Sequence, residues 1–473
     1  MLSNFETRFT QVLNHGQLEK THHQMEGVRW CLENELSDIP FMQSKARGGF
    51  IADEMGLGKT ITMIGTIFCN FKMPTLIVMP VVLLDQWYKE IFRTTGHKAL
   101  IYHGKQKYLI TPEKIMRSPI ILTTYGMITI NKKKFTFKSG ATPITCILHE
   151  IKWGRVIFDE AHHLRNSSTG RFIGAKMLKT NIRWLVSGTP IQNNKRDFYT
   201  LCRLLKIPSS FYTEKENMSI ISRHLILRRT KKDIGIHIPD IFPDISVVPW
   251  KSIVQQRFSA KIHSMLKFSG TNLAEGENLL RFKNYEIIQL LTRAKQSCIL
   301  PSLVKSALLE GYIGEESCKL DLVIETILQK KDNGSGKLVF CNYRREIDIL
   351  AQRLREGGID NVATFDGRNS MSSRADLLSQ KHNVLILQIQ TGCEGLNLQQ
   401  NYSEIYFVTP HWNPSVEDQA IGRCHRIGQT KPVKVFRFQM DGFQQEGQPG
   451  MSFDSYVSLI QDKKREIIKE FII

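Results

Sequence analysis

The sequence predicts an α/β protein with parallel, doubly wound sheets in two lobes and a helical insertion between them. Three observations carry this expectation. Short apolar runs alternate with helix-forming segments in two separate blocks of the chain, as strands buried on both faces do. The polar motifs follow directly on those runs, at the carboxyl ends where open parallel sheets place ligands. At 473 residues the chain is also too long for one compact core. The expected division is an N-terminal lobe over 1–240, a helical linker or insertion over 241–318, a C-terminal lobe over 319–440 and a helical tail over 441–473.

Residues 1–20 read as a leading helix. Gln24 follows, and its amide can both donate and accept, as reading an adenine edge requires. Phe50-Ile51-Ala52 reads as a buried strand. It runs into Asp53-Glu54-Met55-Gly56-Leu57-Gly58-Lys59-Thr60, and Ile61 to Phe68 then reads as the start of a helix. Strand, glycine loop and helix are the context of a phosphate-binding loop. N–H groups around Gly56 and Gly58, with the helix start, form an anion cradle. Lys59 can reach the outer phosphates and the Thr60 hydroxyl can ligate Mg²⁺. Asp53 stands where the general pattern has a glycine.

Thr75–Pro80, Ile120–Tyr125, Arg155–Phe158 and Trp184–Val186 read as further buried strands. The fourth of the five runs into Asp159-Glu160-Ala161-His162. Asp159 at a strand end can hold Mg²⁺ opposite Thr60, and Glu160 can orient and deprotonate an attacking water. Two acids capping a helix is the bland alternative. Arg228-Arg229-Thr230-Lys231-Lys232 reads either as a solvated face or as a phosphate contact, with Pro239 and Pro243 marking a linker and helices expected from Gln255 to Leu300.

The second block starts near Lys319. Lys337–Cys341, Asn361–Phe365, Val384–Leu387 and Ile405–Val408 read as its strands, without a phosphate loop of its own. Gln419 to Gln429 holds Arg423 and Arg426, which share a face if the segment is helical. Such a pair reads either as solvated or as arginine fingers reaching a γ-phosphate.

The formal charge of +19 favours a polyanionic partner, most simply nucleic acid. The nine cysteines include no C-x-x-C pair, which signals no zinc site and fits reduced, buried thiols. No signal peptide and no membrane span are expected.

Together these segments resemble the superfamily II helicase-like ATPases, specifically the Swi/Snf branch. Asp53 to Thr60 is similar to that branch's form of motif I, which accounts for the absent glycine. Asp159–His162 resembles motif II and Ser187–Asn193 motif III. Leu227-Arg228-Arg229-Thr230-Lys231 resembles its end-of-lobe signature, and Trp412-Asn413-Pro414 with Arg423–Gln429 its motif V to VI region. Trp153–Val156 and Glu417–Ile421 are most similar to the Rad-type and Lodestar-type subgroup, here without a RING insert. Cys393 and Glu394 depart from the branch, standing where small or apolar residues are usual.

The resemblance implies two RecA-like lobes and ATP with Mg²⁺. ATP would be held by Gln24, Asp53, Met55, Gly56, Leu57, Gly58, Lys59, Thr60 and Gln419. Lys59, Asp159, Glu160, Arg423 and Arg426 would carry catalysis, with Thr60 and Asp159 on the metal. It further implies a monomeric, DNA-stimulated ATPase that translocates along duplex DNA to remodel or displace bound protein, with chromatin, repair or transcription proteins as partners. The site of action would be the nucleus, or a cytoplasmic viral replication site. A strand-separating helicase and a non-catalytic DNA-binding scaffold stay open as alternatives.

Overall fold

The computed structural model describes residues 4–42, 44–130, 146–188, 195–266, 285–304, 315–369, 376–377, 380–392, 396–445 and 448–471. The chain falls into two compact units, residues 1–237 with 467–473, and residues 238–466. Both are α/β with parallel sheets.

The first unit's strands are β1 (Ile39–Phe41), β2 (Ser44–Ile51), β3 (Thr75–Met79), β4 (Leu100–Tyr102), β5 (Ile120–Thr124), β6 (Lys152–Trp153), β7 (Arg155–Asp159), β8 (Lys179–Thr180), β9 (Ile182–Val186) and β10 (Ile226–Leu227). Its main sheet has the order β1-β2-β9-β7-β3-β5-β4, with β10 added beside β2; β6 and β8 form a separate ribbon. Only β1 runs antiparallel to its neighbour. The pleat sorts each strand's residues to two faces. Ile77 and Ile157 enter a core with the helices α1 (Phe5–His15), α2 (His22–Leu36), α3 (Lys59–Cys69) and α4 (Leu84–Thr95). Their neighbours Val78, Val156 and Phe158 enter the opposite core with Phe172, Phe198 and Leu201. Both faces are covered, so these strands read as unbroken apolar runs.

A buried ion pair ties α2 to the amino end of β7. Glu35 accepts from Arg155 Nε and Nη2 at 2.5 Å each, from Trp184 Nε1 at 2.7 Å and from Asn70 Nδ2 at 2.7 Å. Glu35 and Arg155 are 1% and 0% exposed, so the pair is tolerated only because each of its polar atoms finds a partner.

The second unit contains β11 (Ile241–Val248), β12 (Gly336–Cys341), β13 (Val362–Phe365), β14 (Val384–Gln388), β15 (Tyr402–Phe407) and β16 (Val433–Met440). They form one sheet of order β11-β16-β15-β12-β14-β13, parallel throughout. Leu338, Phe340, Leu385 and Leu387 face one core. Val339, Cys341, Val384 and Ile386 face the other. The stretch 241–318, expected to be a helical insertion, opens with β11, which pairs over its full length with β16. The helices Ile253–Ser264 and Tyr285–Ile299 follow it. Among the described residues no helix is long and apolar enough to cross a membrane.

Candidate nucleotide site

The loop between β2 and α3 is shaped by two glycines in left-handed conformation, Gly56 at φ +91° and Gly58 at φ +78°. A side chain at either is strained, and a Cβ on Gly58 would run into the Gln24 amide. Gln24, carried on α2, therefore packs against the loop. Leu57 is buried and anchors the loop, with its carbonyl bonded to His23 Nε2 at 3.2 Å. Met55, Gly56, Gly58, Lys59 and Thr60 are partly exposed. Lys59, first residue of α3, folds its Nζ back on the loop carbonyls of Asp53 at 2.8 Å and Glu54 at 3.2 Å. Gly188, after β9, approaches both Met55 and Lys59 Nζ.

The Asp53 carboxylate is turned into the protein. The residue is fully buried and its carboxylate receives Arg229, from the backbone N–H at 2.9 Å, from Nε at 3.1 Å and from Nη2 at 2.5 Å. The Asp53 carboxylate is thus committed to protein, while its carbonyl serves the loop through Lys59. The basic run divides: Arg228 and Lys232 are exposed, while Arg229 and Lys231 turn to the loop. Ala52 N–H donates to the Leu227 carbonyl and Glu54 N–H to the Arg229 carbonyl, extending the β10–β2 pairing along the phosphate loop. Lys231 is bound to Glu54 through Nζ at 2.8 Å and its backbone N–H at 2.8 Å. Arg229 and Lys231 thus hold the loop through Asp53 and Glu54.

Asp159 ends β7 beside this loop. Its Oδ2 accepts from Trp87 Nε1 at 2.7 Å and its Oδ1 from Glu160 N–H at 2.9 Å. The Tyr125 hydroxyl donates to its carbonyl at 2.6 Å. Burial, then the Glu160 carboxylate, push the Asp159 acid up to about 6, while the Trp87 bond, the Glu160 N–H and the Lys59 ammonium act against the rise. Glu160 sits at φ +50°, an uncommon conformation for a side chain and one found at strained functional positions. Its Oε2 lies 3.2 Å from His162 Nδ1, which also lies 3.3 Å from Ser187 Oγ. Lys59, Asp159 and Glu160 are therefore within electrostatic reach of one another. Two crowded carboxylates at a buried strand end, with the Thr60 hydroxyl at the start of α3, are oxygen donors of the kind a hard divalent cation takes, so these residues fit Mg²⁺.

In the second unit, Gln419 is buried in the helix Pro414–Ile421. Arg423 and Arg426 are not on a helix face, as their spacing suggested. The helix ends at Ile421 with Gly422 as its cap, and both arginines lie in the turns that follow. Arg423 is buried and Arg426 Nη1 donates to Asn397 Oδ1. Burial, then the neighbouring Arg423, pull Arg426 below its ordinary value. Thr189–Asn193 of the expected motif III, and Cys393 and Glu394, lie outside the described residues.

Trp87, Tyr125 and Arg229 are the site residues that the sequence reading missed. Nothing local ties Trp87, 72 positions from Asp159, to a carboxylate. Arg229 was visible only as one charge in a run.

Residues 23–303 match the family profile described as the SNF2-related domain, and residues 318–428 that described as the helicase conserved C-terminal domain. The chain is similar to a probable global transactivator of Orgyia pseudotsugata multicapsid polyhedrosis virus, 26% identical, with 95% of this chain and 90% of that protein covered. It is similar to the ATP-dependent DNA helicase DDM1 of Arabidopsis thaliana, 26% identical, over 90% of this chain but 59% of the plant protein. Among solved structures it is similar to the Sulfolobus solfataricus SWI2/SNF2 ATPase core in complex with dsDNA, at 23% identity and a TM-score of 0.41, with 96% of this chain and 93% of that one covered. The ordered motifs and the profile spanning more than half the sequence agree: the chain belongs to the SNF2-related family of superfamily II helicase-like ATPases.

Proposed function

We propose that the chain is a DNA-dependent ATPase that translocates along duplex DNA and remodels or displaces bound protein. The observation that carries this reading is the convergence of Lys59, Asp159 and Glu160 on one glycine-shaped cradle. The +19 charge supports a nucleic-acid partner.

The chemistry follows from the residues. The loop N–H groups and the start of α3 take the phosphates. Lys59 exchanges its carbonyl partners for phosphate oxygens, and Gln24 borders the cradle. Asp159 and Thr60 would hold Mg²⁺, which supplies neutralisation of phosphate charge when bound. Glu160 is the general base that orients the attacking water and takes its proton, with His162 beside its carboxylate. Arg423 and Arg426, two neighbouring cations already paired at desolvation cost, are assigned to the γ-phosphate. Gln419 is assigned to the nucleotide as well. Contacts to DNA are assigned to phosphates, which makes tracking sequence-independent and strongly salt-sensitive.

The test is phosphate release by the purified chain with no nucleic acid, duplex DNA, single-stranded DNA and RNA, each at two salt concentrations. Duplex DNA is expected to stimulate most. Lys59→Ala and Glu160→Gln are each expected to lower the stimulated rate by at least about a hundredfold. Near-normal turnover in Glu160→Gln removes it as the base. Displacement of a third strand from a triplex without duplex opening supports translocation; ATP-dependent release of a strand from a fork supports the helicase alternative instead.

A further inference from the structure

The first unit carries a second concentration of positive charge, remote from the phosphate loop. At the amino ends of its strands lies a concavity of about 550 Å³, lined by Arg47, Lys72, Lys152, Lys179 and Lys206 and by no carboxylate. At the chain's overall frequency, 64 Lys and Arg in 473 residues, its ten lining residues would include about one such cation; five are present. Arg47 lies opposite Ile182 in the β2·β9 pairing. The phosphate loop leaves the other end of β2, about 13 Å along the strand. The two sites therefore share a sheet and occupy opposite edges of it. Open parallel sheets bind ligands at the carboxyl edge, so this basin has no part in the nucleotide site.

The cations are placed against their own electrostatics. In the β6·β8 ribbon Lys152 lies directly opposite Lys179, and like charges in that relation are destabilising. Arg47 is paired with Asp38 at 2.7 Å; among the described residues Lys72, Lys152, Lys179 and Lys206 make no ion pair. Lys206 meets only the Thr180 carbonyl, at 3.5 Å, and burial and the nearby Arg183 guanidinium hold its ammonium below the usual lysine value. Arg183 is 5% exposed and bonds only to the carbonyls of Leu204, Leu178 and Lys176. Its Nε is buried without a partner. Four separate segments thus bring lysines without an ion pair to one basin beside the paired Arg47, and an anion seated there would offset the repulsion among them.

We propose that this basin binds a compact polyphosphate-bearing anion. Its volume is that of a small-ligand site, which runs from roughly 300 to 1,000 Å³. Its cations ring a concavity, whereas a duplex backbone is met by a stripe of charge along a surface. The probe is inorganic tripolyphosphate, titrated calorimetrically into the full chain carrying Lys59→Ala. That background disables the phosphate loop, so the result does not depend on the proposed ATPase activity.

One equivalent is expected to bind. Adding Lys152→Glu and Lys179→Glu, both at exposed positions, is expected to weaken binding by about a hundredfold or more, since each reversal replaces an attraction by a repulsion. The control pair Lys98→Glu and Lys114→Glu, also exposed, makes the same change in net charge and is expected to leave the affinity within about threefold. If the reversed pair does not fold, Lys152→Gln with Lys179→Gln is expected to give about a tenfold loss. Equal loss in the control pair, or no stoichiometric binding at all, overturns the proposal. So does the case in which tripolyphosphate fails to bind while a short duplex loses affinity only in the basin variant, because the basin then belongs to nucleic acid.

Discussion

Arg229→Gln isolates the clamp beneath the phosphate loop. The substitution removes the Nε and Nη2 bonds to Asp53, at 3.1 and 2.5 Å, and the Nη1 bond to the His23 carbonyl, and keeps the backbone N–H bond to Asp53 at 2.9 Å. Asp53 is 0% exposed, so its carboxylate cannot recover the loss from water. Removing one partner of a buried pair costs about 3–5 kcal/mol, and the retained charged hydrogen bond places the cost near the lower end, about 3 kcal/mol. Four of the six tryptophans, Trp30, Trp87, Trp153 and Trp184, lie in the first unit, so urea unfolding followed by tryptophan emission reports chiefly on it. With a slope of about 3 kcal/mol per molar, the midpoint should fall by about 1 M. Asp53→Asn in the same background should restore part of the loss, giving a coupling of about 2 kcal/mol in a double-mutant cycle. A cost below about 1 kcal/mol, or strict additivity of the two substitutions, would refute the view that this pair holds the loop.

Three further outcomes follow from the geometry. Trp87→Phe keeps the packing of α4 but removes the indole bond to Asp159; kcat for phosphate release should fall about tenfold with nucleotide affinity within about threefold, and an unchanged kcat would show that Trp87 only packs. Arg155→Met strands the buried Glu35 carboxylate and should cost about 3–5 kcal/mol, whereas Glu35→Met with Arg155→Met should recover most of it, as read from urea midpoints. Burial holds His263 and His411 down to about 4 from 6.5, leaving both rings neutral in the folded chain. Below pH 6.5 the unfolded chain takes up those protons first, so each ring should remove about 1.4 kcal/mol of stability per pH unit between 6.5 and 4, and His263→Gln should flatten that slope.

The strands and the phosphate loop were legible because both are local. Ile157 and Phe158 enter different cores of the first unit, and burial on both faces writes itself as an unbroken apolar run. Gly56 and Gly58 occupy conformations that few other residues adopt. The clamp was illegible because Arg229 and Asp53 are 176 positions apart, and a basic run looks the same whether solvated or paired. β11 was read as linker because of Pro239 and Pro243. The strand lies at the edge of its sheet, where proline is tolerated. The Arg423–Arg426 spacing suggested a helix face, but the helix stops at Ile421 and the spacing then carries no orientation.

The clamp also has a mechanical side. Residues 227–231 are bonded along the phosphate loop, and the second unit begins at Ile238, seven residues beyond Lys231. A tug on that short tether is felt first at Lys231 and Arg229, and through them at Glu54 and Asp53. The segment 228–231 that follows β10 is thus also the cable through which tension on the connecting chain arrives at the loop.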